Sequence, residues 1–154
     1  MATEIERKFL VVGEDWRWLG DAVEIRQGYL STVKERTVRV RVMGDRGYVT
    51  VKGITVGAAR TEFEYEIPVA DAHQMLDQLC ERPIIEKTRS RIDVAGLIWE
   101  VDSFTGVNAG LVVAEVELEH EAQEIDPPRW IGEEVTGDSR YFNANLIAHP
   151  FTEW

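Results

Sequence analysis

The stretch Thr37-Val38-Arg39-Val40-Arg41-Val42 decides the fold. Side chains alternate between the two faces of a strand, so the valines form one face and Arg39 and Arg41 the other. Gly44-Asp45-Arg46-Gly47 then reads as a hairpin turn, and Tyr48–Lys52 returns with Thr50 and Lys52 opposite Val49 and Val51. The same design recurs in both directions. Upstream lies a strand candidate at Val23–Leu30. Nearer the N-terminus, Glu4-Ile5-Glu6-Arg7-Lys8 runs into Phe9-Leu10-Val11-Val12, with Glu4, Glu6 and Lys8 on one face. Downstream, Glu62, Glu64 and Glu66 oppose Phe63, Tyr65 and Ile67, and Ile84–Ile92 carries Lys87, Arg89 and Arg91 at two-residue spacing. Leu97–Ser103 sets Glu100 and Asp102 against Trp99 and Val101, and Leu111–Glu119 sets Glu115, Glu117 and Glu119 against Val116 and Leu118.

Two segments read as helices. Asp71–Cys80 carries an apolar stripe of Ala72, Met75, Leu76, Leu79 and Cys80, and Asp138–Ala148 is capped by Asp138 and halted by Pro150. Gly13–Gly20 is a loop or short helical turn with Trp16 and Trp18 packed. Sequential hairpins imply antiparallel pairing, and about eight strands suit a closed barrel. The expected fold is α+β but mainly β: an eight-stranded antiparallel closed β-barrel, or tunnel, with helices packed on the outside. No linker divides the chain, so one domain is expected over residues 1–154.

A composition of 44% hydrophobic and 29% charged residues is that of a soluble globular protein. The net charge of −11 argues against a nucleic-acid surface while leaving room for a local anion site. Cys80 is the lone cysteine, so no intrachain disulfide forms, and a buried structural thiol is the expected role. No leader pattern and no membrane-length apolar run stand out, so no membrane partner is expected and the cytoplasm is the default compartment. Monomer and homodimer both remain open.

Any one charged strand face is ordinarily a solvated surface. Here, however, the signs segregate by strand, whereas a face built for solubility mixes them. The opposite faces hold Val, Phe, Tyr, Ile and Trp, which must be covered. If helices cover the outside of a closed sheet, the charged rows line its interior, where ions persist only when paired or ligand-bound. Carboxylates at two-residue spacing on different strands converge on a hard cation such as Mg²⁺ or Mn²⁺, and arginines and lysines clamp phosphate oxygens. Together they describe a site for a polyanionic phosphate chain.

These residues resemble the triphosphate tunnel metalloenzymes of the CYTH superfamily. The likeness begins at Glu4-x-Glu6-x-Lys8 and continues through Arg39-x-Arg41, Lys52, Glu62-x-Glu64, Lys87-x-Arg89, Glu100-x-Asp102 and Glu115-x-Glu117, in order, over nearly the whole chain. Glu134-Val135-Thr136-Gly137-Asp138-Ser139-Arg140-Tyr141 also looks like the small bacterial members. The resemblance implies metal-dependent hydrolysis of the terminal phosphate of inorganic triphosphate or a related compound, with Mg²⁺ or Mn²⁺ and two ions during turnover. Carried onto this chain, Lys8, Arg39, Arg41, Lys52, Lys87 and Arg89 hold the phosphates, while Glu4, Glu6, Glu62, Glu64, Glu115 and Glu117 supply metal ligands. Lys8, Arg39, Lys52, Lys87 and Asp102 form the implied catalytic set, with Glu100 and Asp102 orienting basic side chains or the attacking water. The rival activities are thiamine triphosphatase and class IV-type adenylyl cyclase; the rival outside enzymes is a polyphosphate- or nucleotide-binding module. A lipocalin-like carrier fits poorly, because the charged rows give it the wrong lumen.

Overall fold

A computed structural model describes residues 3–154; Met1 and Ala2, which the expected domain includes, lie outside the described residues. The alternating segments all become strands: β1 (Thr3–Val11), β2 (Asp21–Ser31), β3 (Thr37–Met43), β4 (Arg46–Val56), β5 (Ala59–Ile67), β6 (Ile85–Val94), β7 (Leu97–Phe104) and β8 (Val112–Glu117). Neighbours run β5-β4-β3-β2-β6-β7-β8-β1, and β1 pairs again with β5, so the antiparallel sheet closes as the expected eight-stranded barrel. The closing seam is short. β1 meets β8 through Glu6–Leu10 but meets β5 only through Thr3–Ile5. Beyond that seam its free edge is taken by β9 (Ile131–Glu134), a strand absent from the sequence expectation because four residues show too little alternation to read.

Residues directly opposite in an antiparallel pair share a face. Arg41 lies opposite Gln27, Arg89 opposite Asp102, Lys8 opposite Glu115 and Lys52 opposite Glu62, which puts the charged rows on one interior surface. The other faces build two cores outside the barrel. Phe9, Ile92, Trp99, Val101 and Val116 pack with Trp16 and Trp130. Val40 and Val42 pack beneath helix α1 (Val69–Gln78) through Ala72 and Leu76. That helix lies close: a Cβ at Gly47 would stand 2.7 Å from the Ala72 Cβ, and one at Gly28 would stand 2.9 Å from that of Cys80.

A third core is internal. Tyr29, Ile85, Phe104 and Val113, on the interior face at one barrel end, meet Leu111, Val135, Tyr141, Leu146 and Ile147. The C-terminal segment therefore plugs that end. It is not the continuous outer helix expected over Asp138–Ala148. A 3₁₀ turn at Ser139–Tyr141 and a short helix α2 (Asn143–Ala148) are separated by Phe142, whose extended backbone breaks the run. Asp138 does cap, but it caps the 3₁₀ turn, accepting from the Arg140 amide at 3.1 Å.

Other expectations need correction at the surface. α1 starts at Val69 and ends at Gln78, which leaves Leu79 beyond the packed stripe and exposed. Trp16 is buried, whereas Trp18 is 87% exposed, because one 3₁₀ turn presents only one of its two faces to the barrel. Phe63 and Tyr65, on the outer face of β5, are exposed rather than covered by a helix. Cys80 is buried as expected. No helix among the described residues is long and apolar enough to cross a membrane.

Trp99 is fully buried between Phe9 and Trp130, with ring centroids at 5.6 and 6.1 Å. Trp99→Ala is expected to cost about 3–5 kcal/mol of unfolding free energy, read by urea denaturation. A cost under about 1 kcal/mol would show that this outer core does not hold the barrel.

Candidate active site

The charged rows run from a buried floor to an open mouth. Along β6 side-chain exposure rises from 0% at Lys87 to 9% at Arg89 and 64% at Arg91; along β7 it rises from 1% at Asp102 to 35% at Glu100. The floor abuts the apolar plug, since Ile85 and Phe104 continue the same two faces inward. The interior is thus a blind-ended chamber.

Deep inside, Asp102 takes two cations. Its Oδ1 and Oδ2 accept from Arg89 Nε and Nη2 at 2.8 and 2.9 Å, and its Oδ2 stands 2.7 Å from Lys87 Nζ. Burial works against the Asp102 anion, but Arg89 and Lys87 outweigh it and hold the carboxyl below its ordinary range. Lys87 carries the cost: burial lowers its pKa to about 8 despite Asp102. Lys8 Nζ donates to the Tyr141 carbonyl at 3.0 Å and lies 3.7 Å from Glu115. Burial opposes its charge, yet Glu115 and Glu6 raise its pKa overall.

On the opposite wall Arg39 and Arg41 converge on Glu64 at 3.4 and 3.2 Å. Thr50 donates to the same carboxylate oxygen at 2.7 Å and accepts from Arg39 at 3.2 Å. Lys52 bridges Glu4 at 3.0 Å and Glu62 at 3.4 Å. Burial, reinforced by the neighbouring Glu62, pushes the Glu4 carboxyl up to about 7 against the pull of Lys52. Glu6 rises well above the usual carboxylate range through burial and the charges of Glu115 and Glu4, and Glu117 is raised by burial and by Glu4.

All the site residues expected from the sequence therefore face this one interior. Glu66, beside Arg46, and Arg91 lie toward the exposed strand ends. Thr50, Arg60, Gln27 and Tyr29 also share the interior face, as do Ile25, Thr37 and Tyr48. Arg60 is spoken for within the protein, donating to the Gly53 carbonyl and to Thr37. Thr50 had a signal, the parity it shares with Lys52. Gln27 and Tyr29 had none, because the only charge on that face of β2 is Asp21 at its exposed end, too far along to mark a row.

Two observations bear on what the chamber accepts. Arg39 Nε and Arg41 Nε are buried donors with no protein acceptor, and the buried Lys87 Nζ has Asp102 as its charge partner, which suits anionic oxygens. Glu4 lies against Glu62 and Glu6 against Glu115, carboxylate beside carboxylate, which suits a hard cation. Yet no trio of His, Cys, Asp or Glu stands ready at metal-binding spacing among the described residues. Two surface hollows, about 580 Å³ beside Pro83 and Val107 and about 510 Å³ beside Trp18 and Trp130, lie outside the barrel and lack these donors and carboxylates.

The comparisons with known proteins agree with this geometry. Residues 2–151 match the family model described as the CYTH domain. An inorganic triphosphatase of Acetivibrio thermocellus is 51% identical over 98% of this chain and 97% of its own length. One from Nitrosomonas europaea is 41% identical over 94% of this chain and 96% of its own. A crystal structure of an inorganic triphosphatase superposes with a TM-score of 0.66 at 37% identity, covering 96% of this chain and 95% of that one. A Hippeastrum protein described as a candidate adenylyl cyclase with dominant triphosphatase activity shares the fold alone, at 13% identity and a TM-score of 0.60 over 76% of this chain and 80% of that one. With rows of opposite charge facing one bore and a family match from end to end, the chain belongs to the CYTH domain family.

Proposed function

We propose that this chain is a divalent-metal-dependent hydrolase that removes the terminal phosphate of inorganic triphosphate, acting as one domain over residues 1–154 in the cytoplasm. The observation that carries it is the set of buried cations on Arg39, Arg41 and Lys87, with the Nε atoms of both arginines lacking an acceptor, facing carboxylate rows within one chamber. Full-length relatives bearing the name inorganic triphosphatase support the choice of substrate.

Lys8, Arg39, Arg41, Lys52, Lys87 and Arg89 bind and orient the phosphates, and their fixed positions stabilise charge that develops on the departing pyrophosphate. Asp102 clamps Lys87 and Arg89 so that both point into the chamber. Glu4, Glu6, Glu62, Glu64, Glu115 and Glu117 provide the oxygens for Mg²⁺ or Mn²⁺, as one ion or two. A polyanionic substrate enters beside this carboxylate row more favourably with a divalent cation to offset the charge. Bound there, the metal supplies charge neutralisation and polarises the phosphoryl group. No covalent intermediate is called for: Cys80 lies beneath α1 and His73 lies outside the barrel, against Arg26.

The deciding test is a matrix of Mg²⁺ and Mn²⁺ against tripolyphosphate, ATP and thiamine triphosphate, scoring phosphate release and cyclic nucleotide. Metal-dependent phosphate release, fastest from tripolyphosphate, is expected. Tight binding without turnover would favour a binding module, and cyclic AMP from ATP would favour a cyclase. Arg39→Ala should lower kcat/KM by roughly 10²- to 10³-fold with its melting temperature close to wild type. Glu115→Ala should raise the metal concentration for half-maximal rate by on the order of tenfold.

Lys87 predicts a pH limb. Its ammonium is present below about 8 and is lost as pH rises through that value. Since kcat/KM reports the free enzyme, it should fall above about pH 8, while kcat holds to higher pH because bound phosphate keeps Lys87 charged. In Lys87→Arg the limb should move out of the accessible range. An unmoved limb would assign it to another group.

A further inference from the structure

β2 lies between the two strands that bear the deep cations, β3 with Arg39 and Arg41 and β6 with Lys87 and Arg89. Its interior face nevertheless carries no charge at that depth; Asp21, opposite Arg91, has the same parity but stands at the exposed end of the strand. That face presents Ile25, Gln27 and Tyr29, and Gln27 stands at the centre: directly opposite Arg41 on one side and Ile85 on the other, one pair removed from Arg39 and from Lys87. Gln27 is 0% exposed, and neither its Oε1 nor its Nε2 has a hydrogen-bond partner in the protein. A buried primary amide left unpaired on both atoms costs more than the hydrophobic side chain that would otherwise fill the space. Structure alone does not account for it.

Its place accounts for it better. The chamber is blind at the plug, so a linear polyphosphate entering from the mouth brings one terminal phosphoryl group to the floor, where Gln27 lies next to the plug residues Ile85 and Tyr29. The cationic rows offer donors only, and the ionised carboxylates offer acceptors only. An amide offers one of each, fixed to each other. We propose that Gln27 is a positioning residue for the hydrolytic step: Nε2 donates to an oxygen of the terminal phosphoryl group while Oε1 accepts an O–H of the attacking water. In that step the water oxygen forms a bond to the terminal phosphorus and the bridging P–O bond breaks, its electron pair leaving on pyrophosphate. One water proton stays on the new phosphate, and the other passes to a phosphoryl oxygen. The amide itself gains and loses no proton. This assignment rests on the triphosphatase reading above.

Gln27→Met keeps the length and volume and removes both functions. Its kcat for tripolyphosphate should fall roughly 10- to 100-fold, with KM changed by less than about threefold, because the lost contact aligns the reaction rather than binding the substrate. Its melting temperature should stay level or rise, since a merely structural glutamine would instead be missed by the fold. Gln27→Glu, which keeps the shape and an acceptor but no donor, should lose kcat as well, and it decides the matter if the Met variant folds poorly. Wild-type kcat in a folded variant, or a raised KM with kcat intact, overturns the assignment. If wild-type protein itself fails to release phosphate from tripolyphosphate, the functional reading falls; if only the variants match wild type, this inference alone falls.

Discussion

The pairing of Asp102 with both Arg89 and Lys87 is the constraint on which the rest depends. Each ion is nearly or wholly removed from water, and that removal costs several kcal/mol per charge unless partners replace the solvent. The replacement comes from the barrel itself. A closed antiparallel sheet sets one strand's residue directly beside its neighbour's, so cations at period two on β6 find carboxylates at period two on β7 without any long-range search. The same parity pushes Trp99, Val101, Val40 and Val42 outward, which forces the molecule to build two of its three hydrophobic cores outside its own barrel. Fold and charge pattern are therefore one solution to one problem.

That solution leaves the chamber closed upon itself. Lys52 is shared by Glu4 and Glu62, and Glu64 by Arg39 and Arg41. A phosphate chain and a divalent ion arriving together would exchange these partners, cations for phosphate and carboxylates for metal, at little change in the number of buried charges paired. Such an exchange explains how the interior can be both stably folded without ligand and suited to a highly charged one.

What the sequence revealed follows from where charge marks a face. Lys87-x-Arg89, Glu62-x-Glu64 and Arg39-x-Arg41 announce both strand and inward orientation, because a row of like charges beside a row of β-branched and aromatic residues has few other uses. β2 was legible as a strand, but Ile25, Gln27 and Tyr29 look like any mixed face, and only the register with Arg41 and Lys87 shows that they point inward. β9 and the broken C-terminal helix were illegible for another reason. They are short, and their conformations are set by what they dock against rather than by their own periodicity.

Docking of that last segment ties the two ends of the chain to one site. The Lys8 amide donates to Thr136 and its carbonyl accepts from the Val135 amide, both at 2.8 Å, while its ammonium reaches the Tyr141 carbonyl. On the outer face the Arg7 guanidinium grips Glu134 at 2.6 and 2.9 Å. β1 is thus held on one edge by β8 and on the other by residues near the C-terminus, and the floor of the chamber is laid by Tyr141, Leu146 and Ile147. Contacts spanning nearly the whole sequence carry a large loop-closure cost. The half-built barrel, with its charged faces still open to water, needs no partner for any of them. Only the final seam and plug expel the water and oblige Lys8, Lys87 and Asp102 to depend on one another, so the electrostatic character of the site is a property of the completed fold and of no part of it.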